Sequence, residues 1–118
     1  MTDEGMTHLS TMTQLEYLGL RGNLITDIGT SQLSPLINLQ GLNLGETRIS
    51  DESLKNISKF THLQNLWVQK TEVSDNSIPI ITNFKKLKKL DISGTKITSD
   101  GITIIKSKLP NCEIISSD

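Results

Sequence analysis

The side chains that most often carry out catalysis are few in this sequence and widely separated. It holds two histidines, His8 and His62, and a single cysteine, Cys112. Nucleophilic catalysis needs a nucleophile beside a base and a third group that orients the base, and these residues lie far apart along the chain. Glycine-rich phosphate loops and the HExxH and CxxC patterns are also missing from the sequence. We therefore predict that the protein is not an enzyme and holds no metal and no cofactor.

The charge balance argues against binding to nucleic acid or to a membrane surface. The formal net charge is −1, so no overall field attracts phosphate backbones or anionic lipids. Residues 81–118 are more basic than residues 1–80, and Lys85, Lys86, Lys88 and Lys89 form a basic run. That run could bind an acidic partner or a phosphate, or act as a nuclear-import patch. We favour a solvated turn, because no aromatic residue is interleaved with the lysines.

The main feature of the sequence is a 24-residue repeat. The first full unit begins at Leu15 with LEYLGLRGN, and the next three begin LQGLNLGET, LQNLWVQKT and LKKLDISGT. Five positions, numbered from this leucine, are apolar in all four units. Position 1 is Leu15, Leu39, Leu63 and Leu87; position 4 is Leu18, Leu42, Leu66 and Leu90; position 6 is Leu20, Leu44, Val68 and Ile92; position 11 is Ile25, Ile49, Val73 and Ile97; position 19 is Leu33, Ile57, Ile81 and Ile105. Agreement of this kind indicates a repeat architecture.

Each unit is predicted to form a strand followed by a short helix. Positions 4 and 6 alternate as in a strand with one buried face, and Ile78, Ile81 and Phe84 have the spacing of a helical stripe. A unit of this length cannot bury its apolar face alone, so neighbouring units must stack. The polar residues at position 9 are suited to bonding the loops of adjacent units. They are Asn23, Thr47, Thr71 and Thr95.

The start of each predicted helix carries a capping signal. A serine or threonine supplies the cap oxygen, and an acidic residue beside it suits the positive end of the helix dipole. The pairs are Thr26-Asp27, Ser50-Asp51, Ser74-Asp75 and Thr98-Ser99, the last of which has no acid. Pro79 falls in a first helical turn, where its missing N–H costs little.

The repeat pattern LxxLxLxxT/N, followed by an I-T/S-D segment and a short helix, resembles the leucine-rich repeat family. It is most similar to the bacterial 24-residue variety that reads LxxLxLxxTxITDxGLxxL, over residues 15–111. The resemblance implies a right-handed α/β solenoid with a parallel sheet on the concave side and helices on the convex side. It also implies protein recognition, since bacterial proteins of this kind often serve as secreted effectors or effector regulators.

The predicted boundaries make one domain of residues 1–118. Residues 1–14 are a trailing half repeat, 15–38, 39–62, 63–86 and 87–111 are full repeats, and 112–118 are a closing strand and tail. Met12 aligns with the core positions Leu36, Phe60 and Phe84. The leading half repeat is either the remnant of a cut array, which we favour, or an improvised cap. At the C-terminal end, Pro110 is expected to end a helix that is one residue longer than those of the other units. Cys112 is then expected at position 1, the leucine column, as a buried apolar side chain.

Positions 3, 5 and 7 of each unit are predicted to point out of the concave sheet, with positions 2 and 8 at its margins. The partner-binding residues expected there are Tyr17, Arg21, Asn43, Glu46, Asn65, Trp67, Gln69, Lys70, Lys89 and Asp91. Trp67 and Tyr17 are the sole Trp and Tyr of the chain, and Trp, Tyr and Arg dominate interface energetics. Gly41 and Gly45 beside Trp67 should leave a shallow floor for a partner side chain.

Two interpretations of the exposed aromatic residues stay open at this point. Trp67 is either a binding anchor, which we favour, or cover for neighbouring backbone. Tyr17 is equally suited to binding and to shielding the N-terminal edge. The solenoid also separates His8 from His62 by about two repeats, and Glu46 from Asp91 by nearly two, which supports the prediction that no active site forms.

The predicted partner is therefore another protein, bound through the concave face, and regulation or inhibition of that partner is the expected result. The alternative is a C-terminal fragment of a longer array, or an adaptor, whose main site lies upstream. Self-association through the exposed N-terminal edge is a further expectation, because that strand has unpaired backbone groups. The first residues do not resemble a signal peptide and no apolar run could cross a bilayer. We expect an intracellular protein, in a bacterial cytoplasm or delivered into a host cell.

Overall fold

Each unit of the repeat contributes one three-residue strand centred on its fourth position. A computed structural model describes residues 1–116, and Ser117 and Asp118 of the predicted tail lie outside the described residues. The strands are β1 (Tyr17–Gly19), β2 (Gly41–Asn43), β3 (Asn65–Trp67), β4 (Lys89–Asp91) and β5 (Glu113–Ile115).

The five strands form one parallel sheet in chain order. Every strand pairs with its neighbour in sequence, and each pairing joins residues 24 positions apart, as Leu42 with Leu66. A parallel pair needs a crossover, and here the crossover is the short helix of the unit. The α/β solenoid with a parallel sheet is therefore confirmed.

Four of the five helices have four to six residues, and the last, α5, has ten. They are α1 (Met6–Leu9), α2 (Asp27–Thr30), α3 (Asp51–Asn56), α4 (Ile78–Ile81) and α5 (Ser99–Lys108), with 3₁₀ turns at Asp3–Gly5, Ser31–Leu33 and Asp75–Ser77. Pro79 lies in the first turn of α4, as predicted. Helices of this length are not stable in isolation, so their stability comes from packing against the units on either side.

The apolar columns form one continuous core between the sheet and the helices. In the two middle units all ten column residues are fully buried. The exceptions lie at the ends, where Leu15, Leu18 and Ile97 are half-buried. Met12 was expected in the core and is instead 48% exposed, because no unit packs against that side of it. The stacking of units, rather than the unit itself, therefore removes these side chains from water.

The predicted helix caps are present, and the aspartates beside them have a second role. Thr26 Oγ1 accepts a hydrogen bond from Ile28 N at 3.2 Å, and Ser50 Oγ and Ser74 Oγ accept likewise from the residue two positions on. Thr98 Oγ1 accepts from Gly101 N, three positions on, at 3.1 Å. The carboxylates of Asp3, Asp27, Asp51 and Asp75 each reach the cap residue of the following unit. We call this set the carboxylate ladder.

The geometry of the carboxylate ladder repeats from unit to unit. Asp51 Oδ1 accepts from Ser74 N at 2.8 Å, and its Oδ2 accepts from Ser74 Oγ at 2.5 Å. Ser77 Oγ adds a third bond to Oδ1 at 2.6 Å. Each carboxylate thus satisfies backbone and hydroxyl donors at the start of the next helix. The ladder stops at Ser99, which occupies the aspartate position of the fourth unit.

Three of the ladder aspartates, Asp3, Asp27 and Asp51, have lowered pKa values. Burial raises the pKa of Asp27, but the hydrogen bonds from Ser50 and Ser53 outweigh it, so the net pKa is lowered. Asp51 behaves in the same way through Ser74 and Ser77. Hydrogen bonds from Thr26 lower the pKa of Asp3. Hydrogen bonds to the charged form are the dominant favourable cause in all three.

The position 9 threonines do not connect adjacent units, contrary to expectation, whereas Asn23 does. Thr47 Oγ1 donates to Leu44 O at 2.6 Å, and Thr71 Oγ1 donates to Val68 O at 2.7 Å. Asn23 and Thr95 likewise bond the carbonyl three residues earlier. The three threonines close the turn within their own unit, whereas Asn23 Oδ1 also accepts a hydrogen bond at 2.7 Å from the amino group of Met1 in the leading half repeat.

The C-terminal closing strand begins one residue later than predicted. Cys112 N donates to Leu109 O as Leu87 N does to Phe84 O, so Cys112 does occupy the leucine column. However, Leu90 pairs with Ile114, 24 residues later. The segment between Cys112 and β5 is therefore one residue shorter than the same segment of the other units, which offsets the extra residue before Cys112. Cys112 is half-buried instead of buried. No helix within residues 1–116 is long and apolar enough to cross a membrane.

Removing one side chain from the middle of the core tests the stacking. Leu66 is fully buried, and we expect Leu66→Ala to lower the free energy of unfolding by about 2–5 kcal/mol, because it leaves a cavity. Urea denaturation monitored by circular dichroism measures this change. The control, Ile104→Ala on the exposed side of α5, should alter stability by less than ~0.5 kcal/mol.

The carboxylate ladder makes stability depend on acid pH. Because the pKa values of Asp27 and Asp51 are lowered from 3.8, their contribution is complete above that pH and is lost as pH falls below it. Asp51→Asn should lower the free energy of unfolding by about 1–3 kcal/mol at neutral pH, because the charge is lost and the amide NH2 in place of Oδ2 cannot accept from Ser74 Oγ. It should also make the loss of stability at acid pH less steep. Urea titrations across pH measure both effects. Asp100→Asn, an exposed aspartate outside the ladder, should keep the wild-type profile.

Candidate functional site

The register of the sheet arranges the predicted site residues in rows. Strand pairing places Asn43, Trp67 and Asp91 side by side at position 5, and Asn65 beside Lys89 at position 3. In β3 the flanking residues are half-buried while Leu66 is buried. The side chains at positions 3, 5 and 7 therefore lie on the face opposite the core, which we call the open face.

Trp67 lies at the centre of the open face. It belongs to the middle strand of five and is half-buried. Asn43 Oδ1 accepts from Gly45 N at 3.0 Å, and Asp91 Oδ1 accepts from Ser93 N at 3.0 Å and from Ser93 Oγ at 2.6 Å. Both neighbours of the indole are thus oriented by the chain that follows their own strand.

The glycine floor predicted beside Trp67 is not open. A Cβ built on Gly41 would lie 2.3 Å from a ring carbon of Tyr17, and one built on Gly45 would lie 2.3 Å from the side-chain amide of Gln69. Both glycines are buried. The prediction that a partner side chain sits on them is wrong, because the chain's own side chains already cover the backbone there.

The two side chains that cover these glycines, Tyr17 and Gln69, differ in their exposure to solvent. Tyr17 remains 57% exposed although its ring lies over Gly41, so it both covers backbone and presents area to solvent. Gln69 is half-buried, and its Oε1 is buried with no hydrogen-bond donor among residues 1–116. A buried acceptor without a donor carries a desolvation cost of about 1–3 kcal/mol.

Position 8 forms the charged margin of the open face. The backbone there is left-handed in every full unit, with φ of 76° at Gly22, 55° at Glu46, 55° at Lys70 and 66° at Gly94. Glu46 pairs with Arg21. The hydrogen bond and charge of Arg21, together with Lys70, lower the pKa of the Glu46 carboxyl. Lys70 and Arg21 are exposed, and Lys89 is half-buried.

The groups with catalytic potential remain apart. His8 lies on α1 and His62 lies in the turn before β3, and both are exposed. Burial and then the charge of Glu113 raise the pKa of the Cys112 thiol, which keeps it protonated and a poor nucleophile at neutral pH. Within the described part of the chain no three His, Cys, Asp or Glu side chains are placed to hold a metal ion.

The chain is similar to known leucine-rich repeat proteins in sequence and in fold. A sequence model of the family described as "Leucine Rich repeat" matches residues 85–103. An internalin (inlF) from Listeria monocytogenes superposes with a TM-score of 0.81 at 27% identity, over 95% of this chain and 31% of that one. The sequence match and the shared fold support the leucine-rich repeat family for this chain. Leucine-rich repeat proteins are typically binding modules rather than enzymes, and the fold serves protein–protein interaction.

Two further leucine-rich repeat structures agree with this assignment. Internalin C2 from Listeria monocytogenes has a TM-score of 0.78 at 26% identity, over 95% of this chain and 46% of that one. A leucine-rich repeat protein from Leptospira interrogans, at 23% identity, shares the fold with a TM-score of 0.63 over 92% of this chain and 33% of its own. The chain spans less than half the length of each of these proteins. No curated protein sequence matches it.

The cover over Gly41 can be tested against a matched glycine on the neighbouring strand. Gly41→Ala should displace the Tyr17 ring and destabilise the fold by about 1–3 kcal/mol through overpacking. Gly19→Ala should be nearly neutral, because a Cβ at Gly19 meets nothing within 4 Å. Urea unfolding and the ring-proton NMR signals of Tyr17 report the two effects. Equal behaviour of both variants would contradict the packing of Tyr17 on Gly41.

Proposed function

We propose that this leucine-rich repeat domain binds a protein partner through its open face, with Trp67 as the central anchor. The observation that carries the proposal is that the sole tryptophan of the chain lies half-buried on the middle strand of the sheet. Binding energy concentrates in aromatic residues near the centre of an interface. An indole in this position offers apolar area and one N–H donor.

The surroundings of Trp67 support recognition of a protein surface. Asn43, Asn65 and Asp91 surround it in the register of the sheet and supply polar groups of the kind found around an interface core. Tyr17 lies two strands away, roughly 10 Å from Trp67 at the usual strand spacing. It extends the aromatic area toward the N-terminal end, with Arg21 and Glu46 at the margin.

The five strands span about 20 Å, which is close to the lower limit of a standard interface, ~800 Å² on each partner. A partner that covers this face would hide much of one side of the domain. We therefore propose a regulatory or inhibitory role, carried out by covering a surface of the partner. The 24-residue register and the likeness to the Listeria internalins support placing the repeats in the bacterial variety.

We also propose an intracellular location for this encounter. The single cysteine forms no disulfide, which suits a reducing compartment. A bacterial effector or effector regulator would meet its partner in such a compartment.

The experiment compares Trp67→Ala with the wild type. A partner captured from lysate of the source organism and identified by mass spectrometry would be purified, and its Kd measured by isothermal titration calorimetry. We expect Trp67→Ala to fold normally and to bind at least tenfold more weakly, a loss of about 1.4 kcal/mol or more. Ile104→Ala, which removes an exposed apolar side chain from α5, should bind as the wild type does. An unchanged Kd for Trp67→Ala would rule out the anchor.

A second candidate surface is the N-terminal end, where another protein or a second copy of the chain would dock. It is favoured by the exposure of Met12, by the half-buried Leu15 and Leu18, and by the outer edge of β1, which pairs with no strand among residues 1–116. In the same experiment, loss of binding in Met12→Lys together with full binding in Trp67→Ala would assign the partner to this end.

A further inference from the structure

A lysine occupies a position where the fold favours glycine. Position 8 is left-handed in all four full units, and two of them, at Gly22 and Gly94, carry the residue that adopts this backbone without cost. Lys70 holds φ of 55°, and a side chain in this region is strained. Strain of this kind concentrates where a side chain has a function. The fold alone therefore does not explain Lys70.

The side chain of Lys70 borders a groove on the turn side of the sheet. The groove has a volume of about 510 Å³ and is lined by Thr47, Arg48, Lys70, Thr71, Glu72 and Gly94. A Cβ on Gly94 would lie 3.1 Å from Cγ of Lys70 and 3.5 Å from its backbone nitrogen. The absence of a side chain at Gly94 thus leaves room for the stem of Lys70.

The charges around this groove are unbalanced. Two carboxylates are near it, and each already has a cation of its own: Glu46 pairs with Arg21, and Glu72 Oε2 lies 3.0 Å from Lys96 Nζ. Arg48 and Lys70 are exposed and make no salt bridge within residues 1–116. The groove therefore presents two cations without a salt bridge in the described residues, although the net charge of the whole chain is negative and Lys70 lies close enough to Glu46 to lower its pKa.

We propose that this groove, the cationic groove, receives a carboxylate side chain from an acidic segment of the protein partner. The proposal deepens the proposed function and rests on it, since Lys70 lies three residues after Trp67, the last residue of β3. One partner segment could thus contact the indole on the open face and reach Arg48 and Lys70 over the margin. Charge-assisted hydrogen bonds to Arg and Lys are the strong class of such contacts.

A carboxylate is favoured over a nucleic acid phosphate by the size of the charge cluster. Binding to a nucleic acid backbone uses many phosphate contacts along a basic stripe, and the groove offers two cations. Thr47 and Thr71 add no hydroxyl donor, because both hydroxyls already donate to Leu44 O and Val68 O. A site with two exposed cations and no additional hydroxyl donor suits one or two acidic side chains.

The test uses a phage-displayed library of random peptides as the probe, selected on the wild-type protein. We expect the selected peptides to be enriched in Asp and Glu beside an apolar residue. The strongest peptide, synthesised with a fluorophore, should bind the wild type in an anisotropy titration, and its affinity should fall as salt is raised. Lys70→Gly and Arg48→Ala should each weaken it about tenfold, whereas Lys70→Arg should retain the affinity.

Folding defects are controlled within the same set of variants. Lys70→Gly relieves the left-handed strain and should raise the melting temperature by roughly 4 °C, so weaker binding by this variant is not a result of unfolding. Lys59→Ala removes an exposed lysine that makes no salt bridge in the described residues and lies outside the groove. It should bind the peptide as the wild type does.

The outcomes separate this inference from the proposed function. Peptides that lose affinity in Trp67→Ala and keep it in Lys70→Gly and Arg48→Ala would overturn the cationic groove and leave the open face as the binding site. Peptides insensitive to all three substitutions would overturn both proposals. A selection that yields no peptides, or peptides without enrichment in acidic residues, would also overturn the cationic groove.

Discussion

The structure depends on one interaction repeated between units, in which an aspartate carboxylate accepts the backbone and hydroxyl donors at the start of the next helix. Helices of four to six residues have too few internal hydrogen bonds to persist alone. The carboxylate ladder satisfies the donors that such helices leave free at their N-termini, and it does so with the side chain of the preceding unit. Because Asp27 bonds Ser50 and Asp51 bonds Ser74, helix formation and stacking are coupled, and the leucine columns close between units held at fixed spacing.

The same coupling determines the geometry of the candidate site. The strands meet in register because the units that carry them are identical in length between Leu15 and Leu87, so Asn43, Trp67 and Asp91 fall in one row. The open face inherits its shape from the core behind it. The side chains on this face nevertheless differ from unit to unit: position 3 is glycine in the second unit and lysine in the fourth. A rigid scaffold with variable surface positions is the usual arrangement in binding proteins of repeat architecture.

Much of the fold could be predicted from the sequence, because the apolar columns reflect a constraint that every unit shares. The strands centred on Leu18, Leu42, Leu66 and Leu90 follow from it. The role of the aspartates could not be predicted, since an acid at a helix start suits the dipole whether or not it reaches a neighbour. The cover over Gly41 and Gly45 depends on the rotamers of Tyr17 and Gln69, which residue spacing does not encode. Compared with the other units, the last one has one extra residue before Cys112 and one fewer after it. Only the pairing of Leu90 with Ile114 shows that the two changes offset each other.

The carboxylate ladder also gives the array a direction that bears on how such genes lengthen. A duplicated copy of the second or third unit carries both groups that bond adjacent units. These are a serine hydroxyl that donates to the aspartate of the preceding unit and an aspartate that accepts from the following unit. Such a copy can be inserted between existing units without a new mutation. A copy appended after the fourth unit would meet Ser99, which offers no carboxylate to its first helical turn. Growth by tandem duplication is therefore easier inside the array than beyond its fourth unit.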